Sequence, residues 1–211
     1  MRKASMWRVW GMALVVMLAA AGCVSVGVGR TGTKGEITTA SRGLPGAPAP
    51  DWLPGVLNVA FSVRGPGEYW IEGRLRTDCH PLCRIMVGPF NRDLQTFVER
   101  YRRAGVAIKA GPYKRTGNPR FIEATFQWKV PPDLIKRKDG VLHVELFQVC
   151  PFDICAVKVP GEVVESSTRG YVPAGDPSVV IFRKKTPMGF DFKPKGTHPD
   201  GIVNWKLIEE L

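Results

Sequence analysis

Histidine is scarce in this chain of 211 residues, occurring only at His80, His143 and His198. No serine stands in a G-x-S-x-G elbow, and no glycine-rich loop precedes a helix at phosphate-cradling spacing. Serine hydrolases and P-loop NTPases therefore have no motif here. The C-x2-C spacing of common zinc sites is missing, as is the C-x-x-C-H of haem attachment. RNP-type, helix-turn-helix and zinc-finger patterns are lacking, so nucleic acid is not an expected partner. There is no internal repeat. One long hydrophobic run occurs, Val9 to Ala21, and it falls short of the roughly 20 apolar residues that a spanning helix needs.

What stands around that run is specific. Met1 to Arg8 is short and basic through Arg2, Lys3 and Arg8, and Ala20-Ala21-Gly22 puts three small residues directly before Cys23. A charged n-region, a short apolar h-region and a small-residue cleavage site describe an export signal. With a cysteine placed immediately after that site, the segment resembles a bacterial lipoprotein lipobox, with Ala20 where Leu is commoner. The resemblance implies a signal peptide over 1–22, a palmitate-type acyl chain on Cys23 and attachment of the mature chain to a membrane in the bacterial cell envelope, facing the periplasm. Val24 in place of Asp after the lipid site favours the outer over the inner membrane. Residues 23–50 are rich in Gly, Thr, Ser and Pro and end in Gly43-Leu-Pro-Gly-Ala-Pro-Ala-Pro50, a linker composition. As a flexible tether, that length has an r.m.s. reach of roughly 30 Å.

The 22 residues before Cys23 carry three basic and no acidic side chains, so their removal takes the net charge from +11 to +8. The excess of base reads as spread out, densest at Arg100-Tyr101-Arg102-Arg103, Lys136-Arg137-Lys138 and Arg183-Lys184-Lys185. Outside the cell, anionic lipid headgroups, acidic envelope polymers or another envelope protein are the partners such charge suits, with solubility the plainer explanation.

Five cysteines are an odd number for an exported protein. Assigning Cys23 to lipid leaves Cys79 and Cys83 as one spaced pair and Cys150 and Cys155 as another, and thiols outside the cytosol are expected to be oxidised. Pairing within each short loop would contribute about 2 kcal/mol, and cross-pairing over about 70 residues about 4 kcal/mol. Sequence leaves all three connectivities open.

Residues 51–211 read as one mainly β domain. Leu57, Val59, Phe61 and Val63 alternate with polar or small residues before a Gly65-Pro66-Gly67 turn, and Tyr69 to Arg76 is the return strand. Ile85 to Val87 reads as a short strand. Ala124, Phe126, Trp128 and Val130 alternate up to Pro131-Pro132, and Val141 to Val149 runs extended after Asp139-Gly140. Ala156 to Val159, Val179 to Arg183 and Ile202 to Leu207 complete the expected strands. One amphipathic helix is predicted over about 91–104, with Asn91 as its cap, Leu94, Phe97, Val98 and Tyr101 at helical spacing, and Gly105 at its end. Short strands between Gly/Pro turns around a single helix point to a β-sandwich.

The stretch Phe147-Gln148-Val149-Cys150-Pro-Phe-Asp-Ile-Cys155, following Val141 to Leu146, resembles the redox hairpin of the N-terminal periplasmic domain of the disulfide reductase DsbD. That family has an immunoglobulin-like fold, and the resemblance implies a thiol–disulfide oxidoreductase with Cys150 and Cys155 as the exchanging pair. Two further readings come from the residues themselves. Structural disulfides at Cys79, Cys83, Cys150 and Cys155 suit an exported domain that binds or scaffolds, with no catalytic residue, metal or cofactor. Cys79, His80 and Cys83 offer three ligands within five residues, with Met86 nearby, which would suit copper. His143 alternates within a strand, a cross-strand or surface position. Glu162 and Glu165 form at most a weak carboxylate pair on a solvated face. Trp52, Trp70, Trp128 and Trp205 are expected in the core or at the sandwich edge; clustered on one exposed face, they would make a ligand platform.

Overall fold

The computed structural model describes residues 52–211. The expected signal peptide (1–22), Cys23 and the tether (23–50) lie outside them. In chain order the elements are β1 (Leu53–Gly65), β2 (Glu68–Asp78), α1 (Cys83–Arg103), β3 (Ile108–Ala110), β4 (Lys114–Arg115), β5 (Phe121–Val130), β6 (Ile135–Lys138), β7 (Val141–Phe147), β8 (Phe152–Lys158), β9 (Gly161–Val163), β10 (Val179–Arg183), β11 (Met188–Pro194) and α2 (Trp205–Glu209). The larger sheet runs β10-β8-β1-β2-β5-β3, with β4 also on β5, and the smaller runs β6-β7-β11-β9. The chain is thus a mainly β sandwich with one main helix.

Alternation in β1, β2 and β5 builds the inner face of the large sheet. Leu57 lies opposite Leu75, and Phe61 opposite Ile71, in the β1–β2 hairpin. Trp128 lies opposite Ile71 on β5. Gly73 sits between these layers because a Cβ there would come within 2.1 Å of the Asn58 carbonyl oxygen. Phe190 and Phe192 of β11 close the core from the small sheet, their rings 6.0 and 5.5 Å from that of Phe61. Truncating so enclosed a ring costs about 3–5 kcal/mol. The apolar face of α1 joins the same core through Phe90, Leu94, Phe97 and Val98, with Phe97 against Phe152.

The outer face of the large sheet is covered in part by the C-terminal segment. Asn58 is fully buried there; its Nδ2 donates to the Val203 carbonyl at 2.8 Å, and its Oδ1 accepts from the Val203 N–H at 3.2 Å. Ile208 packs on Ala156, Val179 and Ile181 beneath this clamp.

Four local expectations are corrected. Residues 85–87 are helical, since α1 begins at Cys83 and carries Pro89 inside it. Proline costs a helix one hydrogen bond, and Gly88-Pro89 therefore reads as a break in sequence. Here the buried face from Cys83 to Phe90 holds the extra turns in place. Asn91 is accordingly inside the helix, not at its cap, and its Oδ1 accepts from the Tyr113 N–H at 2.6 Å. Gly105 does follow the helix end, with φ +81°. Residues 205–209 form α2 rather than a strand, begun by Asn204, whose Oδ1 accepts from the Lys206 N–H. Finally, β7 and β8 do not form a hairpin. They belong to different sheets, and β8 runs parallel to β1.

Candidate functional site

The two cysteine pairs have opposite environments. Cys79 follows the last residue of β2, and Cys83 is the first residue of α1. Their sulfurs are bonded, with the Cα atoms 4.8 Å apart. The bond is held from the far side by the 119–120 loop, where the Arg120 carbonyl accepts from the Cys79 N–H at 3.1 Å and the Pro119 carbonyl lies 3.2 Å from the Cys83 sulfur. His80, Pro81 and Leu82 form its exposed cover. With both sulfurs joined to each other, neither is a thiolate ligand, and His80 stands alone as a donor on this loop. Among the described residues no cluster of three or more His, Cys, Asp or Glu is placed to hold a metal ion.

Cys150 and Cys155 are free thiols in this structure, and the expected second disulfide is not formed. Cys155 has no exposed surface and points inward from β8 between Leu57 on β1 and Phe182 on β10. It lines a gap with Trp128, Leu146 and Met188 that has no room for a water molecule. Cys150 lies at the corner where the chain leaves the small sheet. Its N–H donates to the Thr186 carbonyl at 2.7 Å and its carbonyl accepts from the Lys185 N–H at 3.2 Å, which locks this crossover to the one between β10 and β11. Burial pushes the Cys150 thiol up to about 11, against a smaller downward pull from hydrogen bonding with the Phe152 backbone. Burial raises Cys155 further, with Cys150 adding to it. Thiol chemistry needs an accessible thiolate, and this pair offers neither access nor charge.

The remaining sequence candidates resolve into structural roles. His143 and Asp191 face each other across β7 and β11, with Nδ1 and Oδ2 2.9 Å apart. Glu162 pairs with Lys195 at 2.9 Å, and that hydrogen bond holds its carboxyl below the usual range. Trp128 is core, and its indole N–H finds no acceptor among the described residues. Trp52, Trp70 and Trp205 are half-buried at separate places, each under a cation: Lys184 at 3.3 Å, Arg64 at 4.9 Å and Arg76 at 3.9 Å from the ring centre. They form no common platform. Lys136, Arg137 and Lys138 lie on β6, an outer strand of the small sheet, where charge discourages pairing with another chain.

One surface escapes the sequence reading. The charge of the described residues is not spread out. The segment 82–120 holds nine basic and two acidic residues, whereas the rest of 52–211 holds fifteen of each. That segment is α1 with the edge strands β3 and β4 beside it. One of its two acids, Asp93, is buried, and the other, Glu99, is paired with Arg102 at 2.8 Å. Two of the exposed large apolar side chains lie here as well, Ile85 at 71% and Leu82 at 42%. Reading 85–87 as a strand hid the pattern, because arginines 84 and 92 fall on one face only if the helix runs through Pro89. Counting charge by segment would have pointed to it.

No family model matches the chain, and no curated protein or solved structure matches it either.

Proposed function

We propose that this chain is a lipid-anchored protein of the bacterial cell envelope whose β-sandwich acts as a binding or scaffolding module. The observation that carries the reading is the Cys79–Cys83 disulfide, a bond of oxidising compartments, in a chain that opens with an export-type segment ending at Cys23. In this reading the acyl chain on Cys23 holds the protein to the membrane, the outer one by the Val24 rule, and residues 23–50 let the domain stand off from it. No nucleic acid, metal or cofactor enters the role. The exchange reading, drawn from the likeness of 141–160 to the DsbD periplasmic domain, needs Cys150 or Cys155 within reach of a partner thiol. Their burial weighs against it. The copper reading needs Cys79 and Cys83 reduced.

Metabolic labelling with palmitate in a bacterial host tests the anchor. The wild-type chain is expected to take up label and fractionate with membranes, and Cys23→Ser to lose the label and become soluble in the periplasm. An unlabelled wild-type chain, or one whose membrane attachment survives Cys23→Ser, would overturn the proposal.

A further inference from the structure

We infer that the outward face of α1 is a second membrane contact, a docking surface for an anionic lipid bilayer that acts independently of any lipid on Cys23. At about 100° per residue, positions 84, 85, 88, 92 and 103 fall within one arc of about 100°. That arc carries Arg84, Ile85, Arg92 and Arg103, all exposed, around Gly88. Gln95 and the Glu99–Arg102 ion pair lie in it too, and because that pair is neutral the face keeps three uncompensated arginines. Among the described residues no carboxylate stands within ion-pair distance of these three arginines. The opposite face of the helix is spent on the core through Phe90, Leu94 and Phe97. α1 therefore cannot turn over, and its cationic face is presented rigidly along about 30 Å.

Charge complementarity selects an anionic partner, and the aliphatic side chains select a bilayer among anionic partners. Ile85 is more exposed than any other large apolar residue described, and Leu82 adjoins it in the turn before the helix, with the Leu82 carbonyl accepting from the Ile85 N–H at 2.9 Å. An acidic polymer has little use for two exposed aliphatic side chains. At a membrane surface the same side chains enter the interfacial layer while arginines on either side meet headgroup phosphates. The Cys79–Cys83 bond ties this tip to the end of β2, so insertion does not require the chain to reorganise.

Vesicle sedimentation tests the surface. The chain from Cys23 onward, carrying Cys23→Ser so that no acyl chain contributes, retains every described residue. It is expected to bind vesicles of phosphatidylcholine with 30% phosphatidylglycerol and to ignore pure phosphatidylcholine, with affinity falling as salt is raised. Changing Arg84, Arg92 and Arg103 together to Gln should weaken binding about 100-fold, and Ile85→Ser about tenfold. All four positions are exposed, so the variants should keep the parent unfolding midpoint. Equal binding to both vesicles, or no loss in the triple variant, would refute the docking surface. Binding to an acidic polysaccharide that exceeds vesicle binding and is indifferent to Ile85→Ser would refute the bilayer as its occupant. Because Cys23 is absent from the assay, these outcomes stand apart from the fate of the lipid anchor.

Discussion

Whether Cys150 and Cys155 exchange disulfides or pack a core turns on how fast they react in the folded chain. Moving a thiol from the usual 9 to about 11 lowers its thiolate about 100-fold at any pH well below 9, and the rate of attack follows the thiolate. Cys150 is also only 2% exposed and Cys155 not at all, so steric exclusion multiplies the effect. In a chain bearing Cys23→Ser and kept free of reductant, native and urea-unfolded protein can be treated with iodoacetamide at pH 8 and followed by mass. The unfolded chain should gain two labels at the rate of a simple thiol. The native chain should gain the first at least about 100-fold more slowly, and that rate should keep rising through pH 10, where a simple thiol has levelled off. The same shift has a stability signature. A thiol whose folded value lies above its unfolded one favours the folded state only while both are protonated. The contribution is present below about pH 9 and is lost between 9 and 11, amounting to about 2–3 kcal/mol for Cys150. Native labelling of Cys150 within tenfold of the unfolded rate at pH 8 would refute the burial argument and revive the exchange role. Formation of a mixed disulfide with glutathione on the same timescale would do the same.

Two other expectations concern the frame around the surface. Asn58→Ala removes both partners of the buried Val203 peptide and should cost about 2–4 kcal/mol in urea unfolding, since each orphaned group costs about 1–3 kcal/mol. If the tail escapes to water instead, the loss will be smaller and amide exchange over 203–209 will accelerate. Cys79→Ser opens a loop of four-residue separation and should cost about 2 kcal/mol on the loop-entropy account, with faster exchange in the first turns of α1; an unchanged midpoint would show that the bond contributes nothing to folding.

Much of the sandwich was legible from period alone. The alternation of Leu57, Val59 and Phe61, and of Ala124, Phe126, Trp128 and Val130, names the inner face of β1 and β5 because each strand has one face on the core. The expected strand Val179 to Arg183 coincides with β10 residue for residue. The second half of α1 was legible from Leu94, Phe97, Val98 and Tyr101, while the first half was hidden by Gly88-Pro89. β11 is not legible in the sequence although Phe190 and Phe192 are central to the core, because Gly189 and Asp191 flank Phe190 in a short segment bounded by Pro187 and Pro194.

The strand periodicity, the helical stripe, the spacing of the cysteine pairs and the excess of base are all properties of neighbours along the chain and can be read from it directly. What those features do depends on how distant segments pack. Two pairs of similar spacing became a disulfide at the mouth of a helix and two buried thiols, because Cys79 and Cys83 flank one tight turn whereas Cys155 faces into a dry core between two sheets. The net positive charge became one face, because packing Phe90, Leu94 and Phe97 inward leaves α1 a single direction in which to point its arginines. Burial is set by contacts between residues far apart in the chain, and no local pattern records it.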